Sequence, residues 1–153
     1  MIGRRAVLAG GLVAVAGVGF YAAGGQNLFY SAITEAVAGE MIDAPTAHKL
    51  AAEQKITLID IRRPDEWAKT GSGEGAVRID MRRGDFISEL ERITNGDRAK
   101  PVALICARGV RSARMTNRLT EAGFTNIIDV PEGMLGSSSS PGWIKRGLPL
   151  DKS

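Results

Sequence analysis

Residues 101–123 read PVALICARGVRSARMTNRLTEAG, and the fold turns on how this stretch is built. Pro101 introduces Val102, Ala103, Leu104 and Ile105, four apolar residues with no polar partner on alternate positions, which reads as a short strand buried on both faces. From residue 111 to residue 122 the pattern changes. Met115 and Leu119 recur four positions apart, as on one face of a helix, and Gly123 stands where a left-handed C-terminal cap is wanted. Between the two lies the seven-residue segment Cys106-Ala107-Arg108-Gly109-Val110-Arg111-Ser112. A buried strand that passes through a short loop into a helix is where open α/β sheets place ligands.

The same alternation extends on both sides. Residues 55–61 (KITLIDI), 76–79 (AVRI) and 127–130 (IIDV) are further strand candidates, with Glu40-Met41-Ile42 as a shorter one. Asp43 is placed to cap a helix with Pro45 in its first turn, and residues 62–70 form a polar helical stretch containing Glu66 and Trp67. Gly71, Gly73 and Gly75 mark a loop. Phe86, Leu90 and Ile93, spaced by four and three, predict a helix that stops near Asn95-Gly96. Residues 136–142 (GSSSSPG) are a flexible insert ahead of Trp143. Strands apolar on both faces, alternating with helices, imply an α/β fold: a parallel sheet with helices on both faces.

Ahead of all this, Arg4 and Arg5 precede eighteen uncharged residues, 6–23, and then Gly24-Gly25. That is the layout of an export signal, and it resembles a twin-arginine one. As a helix the run would span ~27 Å, close to the ~30 Å of a hydrocarbon core, so it could also serve as a membrane anchor. The organisation read from the sequence is therefore residues 1–25 as an N-terminal apolar export signal or anchor, 26–39 as a connecting helix, and 40–150 as the α/β domain. In a bacterium that domain would face the periplasm.

Setting residues 1–25 aside leaves 128 of 153 residues, enough for one domain with its own core. Without Arg4 and Arg5, the 20 basic residues fall to 18 against 17 acidic ones, so a basic face for nucleic acid is not indicated despite the pI of about 9.3. One cysteine forbids an intramolecular disulfide, and one cysteine with one histidine excludes a tetrahedral zinc site of those ligands.

The lone cysteine is the chemically informative residue. Gly109 permits a tight loop in which successive backbone N–H groups converge, and the following helix adds the positive end of its dipole. Arg108 and Arg111 add full charges. Together these features favour a thiolate at Cys106, a nucleophile at neutral pH, in a cradle suited to an anion.

Cys-x-x-Gly-x-Arg-Ser after a buried strand resembles the active loop of the rhodanese-like sulfurtransferase family. Leu58-Ile59-Asp60-Ile61-Arg62, Glu66-Trp67, Gly71 and Gly75-Ala76 look like that family's first signature. Asp129-Val130-Pro131-Glu132-Gly133-Met134, Trp143 and Gly147-Leu148-Pro149 look like its closing one. Ser72 stands where the family usually has a histidine, and residues 136–142 lengthen the closing block. The resemblance implies a rhodanese-like fold and a Cys106 nucleophile that takes the outer sulfur of thiosulfate or a similar small anionic donor. A cysteine persulfide then passes sulfur to cyanide, a thiol or a partner protein. It further implies that Ala107, Arg108, Gly109, Val110, Arg111 and Ser112 bind substrate, with no cofactor or metal. The alternative is a sulfur-carrying or binding module at the membrane that does not turn over. Phosphatase-like relatives hold one residue more between cysteine and arginine than the four here, residues 107–110, so the smaller cradle suits a single sulfur.

Other residues read as scaffold. Asp60, Arg62 and Glu66 form an ion-pair network, Glu132 supports the scaffold rather than meeting the loop, and Trp67 and Trp143 pack. His48 is a solvent-facing helix residue, and Arg82-Arg83 a solvated basic pair.

Overall fold

The structure is a computed structural model that describes residues 26–37, 39–138 and 140–153, and no side chain for Asn27. The apolar run at residues 6–23 lies outside them. Among the described residues no helix is long and apolar enough to cross a membrane. The helices are α1 (Gln26–Ile33), α2 (Ala44–Ala52), α3 (Pro64–Thr70), α4 (Phe86–Thr94) and α5 (Val110–Glu121). The strands are β1 (Glu40–Met41), β2 (Thr57–Asp60), β3 (Ser72–Gly73), β4 (Val77–Arg78), β5 (Val102–Ile105), β6 (Ile127–Val130) and β7 (Leu150–Asp151).

Five strands form one sheet in the order β1-β6-β5-β2-β4, every pair parallel. The cysteine-bearing strand β5 is central, with Leu104 opposite Ile59 on one side and Asp129 on the other. Its alternate residues divide the core in two. Val102 and Leu104 join Phe86, Leu90, Met115 and Leu119 under α4 and α5. Ala103 and Ile105 join Ala44, Ala47, Met134 and Trp143 beneath α2 and the C-terminal segment. All four β5 side chains are buried, as the continuous apolar run predicts. At about 1.5–3 kcal/mol for each large aliphatic side chain, this central strand anchors the fold.

Local chemistry sets the helix ends. Asp43 accepts from the Thr46 amide at 2.9 Å, with Pro45 in the first turn of α2. Asn95 closes α4 in the left-handed conformation.

Two features depart from the sequence reading. The glycine-rich segment read as a loop contains β3, which pairs antiparallel with β7; a two-residue strand is too short to show period-two alternation. Ser72, in that strand, is buried and accepts a hydrogen bond from Arg78 Nε at 2.8 Å, while Arg78 also donates to the Asp151 and Ser153 carbonyls. His48 does not simply face solvent: its side chain is 23 % exposed, lies edge-on to Trp143 at 5.5 Å, and meets Glu74 at 3.0 Å.

Glu132 and the Asp60–Arg62 pair do hold the scaffold. The Glu132 carboxylate is buried and accepts from the Ala44 amide (2.7 Å), the Gly142 amide (2.8 Å) and Arg146 Nε (2.7 Å). It thereby ties the end of β6 to the start of α2 and to the close of the serine-rich insert.

Candidate active site

The loop between β5 and α5 leaves the sheet at its centre, and Cys106 is its first residue. Cys106 Sγ receives the Gly109 backbone N–H at 3.2 Å and lies 3.6 Å from Ser112 Oγ, which donates to the Gly109 carbonyl at 3.1 Å. Gly109 has φ +87°, and a Cβ there would run into the Pro131 carbonyl oxygen. The loop can close around sulfur only with glycine at this position. Behind it, the Met134 and Leu135 amides donate to the Cys106 and Ala107 carbonyls at 2.8 and 2.9 Å. Gly133 makes that approach possible, since a Cβ there would sit 2.5 Å from the Ala107 oxygen. Because a trans peptide directs its N–H opposite its C=O, the Ala107 and Arg108 amides point away from this backing turn.

Beside the loop lies a cavity of about 420 Å³. Cys106 is 1 % exposed, and it lines the cavity floor rather than being sealed behind the loop. Ala107, Arg108, Val110 and Arg111 form the near wall, and Arg63 and Glu66 of the α3 region another. Tyr30 from α1 and Leu135 complete the rim.

The structure separates Glu66 from the Asp60–Arg62 pair with which it was grouped. Arg62 sits against Asp60 and reaches Thr70 and Gly71. Glu66 instead grips Arg111 through two parallel hydrogen bonds of 2.7 and 2.6 Å. Burial alone would raise the Glu66 pKa. The Arg111 fork, the Arg63 amide and the Arg111 and Arg62 charges outweigh it and bring it from 4.5 to about 2. Glu66 thus stays ionised down to strongly acidic pH and fixes where Arg111 stands at the cavity wall. Arg108 is held differently: its Nη1 donates to the Gly136 carbonyl at 3.2 Å, and its guanidinium lies over the Tyr30 ring at 5.4 Å.

Beneath the loop, Asp129 is 1 % exposed, and its Oδ1 has no hydrogen-bond partner among the described residues. Burial pushes its pKa up from 3.8 to about 6, only partly opposed by Ser112 and the Val130 amide. A carboxyl with a raised native pKa binds more protons folded than unfolded, so stability falls as pH rises from about 4 to about 6 and is flat above. Asp129→Asn removes the charge without changing the shape. It is expected to raise stability at pH 7 by about 1–3 kcal/mol and to flatten the slope between pH 4 and 6, read from urea midpoints across that range. An unchanged slope would mean the carboxyl is not desolvated.

The sequence reading did not include Tyr30, Arg63 or Leu135 in the site. Nothing in the spacing along the chain links them to residues 106–112; only the folded path of α1, α3 and the turn after β6 brings them there.

The chain belongs to the rhodanese-like domain family, whose profile matches residues 43–139. Among curated relatives, "Putative sulfurtransferase YtwF" of Bacillus subtilis (strain 168) is 33 % identical over 96 residues, covering 63 % of this chain and 86 % of the relative. The polysulfide-sulfur transferase homodimer of Wolinella succinogenes, a solution structure, is 29 % identical with a TM-score of 0.57, covering 86 % of this chain and 89 % of the other. The tRNA uridine(34) hydroxylase of Deinococcus radiodurans is 28 % identical over 63 % of this chain, but the match covers only 32 % of that longer protein.

Proposed function

We propose that this chain is a sulfurtransferase that moves a sulfane sulfur from thiosulfate or a similar small anionic donor to a thiophilic acceptor by way of a Cys106 persulfide. The observation that carries this reading is the position of Cys106 Sγ, at a cavity floor, receiving the Gly109 amide, with the cationic Arg108 and Arg111 in the walls. In the first half-reaction the Cys106 thiolate attacks the outer sulfur of thiosulfate. A new S–S bond forms, the donor's S–S bond breaks, and sulfite leaves with its electron pair. In the second, the acceptor attacks the terminal sulfur and the pair returns to Cys106. No general base is required once the thiolate is present, and covalent transfer of this kind follows ping-pong kinetics. Amides and guanidiniums fixed before reaction stabilise both the leaving charge and the anionic persulfide.

Purified protein incubated with thiosulfate is expected to gain the mass of one sulfur atom while releasing one equivalent of sulfite. The absence of both would leave a binding or carrier module that does not turn over. The same mass spectrum, read against 16.2 kDa for the full chain, reports whether the first residues have been removed. That bears on the accompanying inference, supported by Arg4-Arg5 and the apolar run at 6–23, that these residues export the domain or hold it at the periplasmic face of a membrane.

A further inference from the structure

The family match begins at residue 43, yet Tyr30 of α1, a helix that ends at Ile33, lines the cavity in front of Cys106. Beyond α1, Arg114 Nε and Asn117 Nδ2 of α5 bond to Glu35 Oε1 (3.2 Å) and the Ala36 carbonyl (3.0 Å). The helix that opens from the sulfur loop therefore also carries the segment leading out of α1. Just past the end of α1, Thr34 Oγ1 donates to the Tyr30 carbonyl at 2.6 Å, and within the helix the Phe29 ring meets the Tyr30 ring edge-on at 5.6 Å. The Arg108 guanidinium covers the other contact of the Tyr30 ring, 5.4 Å from its centroid.

The shape and chemistry of the cavity exceed what an inorganic sulfur anion needs. Its volume of about 420 Å³ falls in the range of sites for organic ligands. Tyr30, Val110 and Leu135 give its lining apolar surface, and Arg63, Arg108 and Arg111 outnumber the single lining carboxylate, Glu66. A molecule that matches both has a flat or apolar body carrying an anionic group.

We propose that α1 is part of the sulfur site: Tyr30 is its specificity-determining residue, forming an aromatic wall beside Arg108 that selects an organic thiol with an anionic group as the sulfur acceptor. The inference rests on the sulfurtransferase reading for the persulfide itself. The acceptor thiolate attacks the terminal sulfur of the Cys106 persulfide and forms an R–S–S bond. The bond between that sulfur and Cys106 Sγ breaks, the electron pair stays on Sγ, and the product leaves as the organic persulfide anion, with no external oxidant or reductant. The apolar body stacks on the Tyr30 ring during attack, and its anionic group meets the Arg108 guanidinium.

Full-length protein loaded with thiosulfate supplies the test, with 2-mercaptobenzoate and cyanide compared as acceptors. Tyr30→Ala is expected to raise the KM for 2-mercaptobenzoate about tenfold more than the KM for cyanide, with kcat for 2-mercaptobenzoate within twofold. Tyr30→Phe, which keeps the ring, should restore the wild-type KM. Tyr30→Leu, which keeps bulk but not the aromatic face, should fall between the two and stands in if the alanine variant does not fold. Equal shifts for both acceptors, or a 2-mercaptobenzoate KM indifferent to the ring, overturn the inference. Failure of the wild-type protein to load sulfur at all is a different result, and it sinks the sulfurtransferase reading instead.

Discussion

Cys106→Ser is expected to lose the sulfur adduct and sulfite release completely, with turnover falling by at least about three orders of magnitude, as removal of a nucleophile does elsewhere. The replacement is nearly isosteric. A hydroxyl can still receive the Gly109 N–H that now reaches Sγ at 3.2 Å, and the turn behind the loop is untouched. What disappears is the sulfur nucleophile, because an alcohol in the same place forms no stable S–S link. Cys106 is also a buried core residue beside Met115, Leu104 and Ile61, so the bland alternative is that it merely fills space. The two readings predict opposite outcomes. A packing cysteine would show its loss in the unfolding midpoint while leaving any sulfur transfer intact. A catalytic one loses chemistry with a melting temperature close to wild type. Intact mass after thiosulfate, alongside a thermal melt of the same sample, separates them.

How much of this was legible in the chain depends on the range over which each feature acts. The central strand and the loop after it were readable because their signals are local. Val102 to Ile105 leave no polar position, Asp43 caps over three residues, and Asn95-Gly96 closes α4 on the spot. The pairing of Ser72 with Asp151 was not legible, since each strand is two residues long and they lie far apart in sequence. Glu66 shows the same limit within the site. Its neighbours Asp60 and Arg62 invited a common network, but the helical start at Pro64 turns Glu66 toward Arg111, 45 positions away. Tyr30 carried no signal at all. Its helix, QNLFYSAI, holds no charge and exposes Leu28, Phe29 and Ile33, and only the clamp from α5 to residues 35 and 36 gives it a place at the cavity.

The buried pair beneath the site makes the largest stability prediction. Arg62 and Asp60 are 1 % and 0 % exposed and are joined through Nε–Oδ1 at 2.9 Å and Nη2–Oδ2 at 2.7 Å. Nη1 and Nη2 further donate to Thr70 Oγ1 (3.0 Å) and the Gly71 carbonyl (2.7 Å), so β2 is stitched to the far end of α3. Arg62→Ala strands the Asp60 carboxylate in the interior with little more than the residue-62 amide, now 3.1 Å from Oδ1, for company. Breaking such a pair costs about 3–5 kcal/mol, a large part of the about 5–15 kcal/mol that holds a domain folded. The urea midpoint should drop accordingly. The double variant Asp60→Leu/Arg62→Met removes both charges and should recover most of the loss, because the penalty lies in the orphaned charge rather than in the missing attraction. Activity should respond in parallel. Helix α3 carries Glu66, and Glu66 holds Arg111, so loosening the Thr70–Gly71 end of α3 in Arg62→Ala frees the cation at the cavity wall. If Arg62→Ala stays within about 1 kcal/mol of wild type, the pair is solvated in solution, and the rigid route from β2 through α3 to Arg111 does not exist.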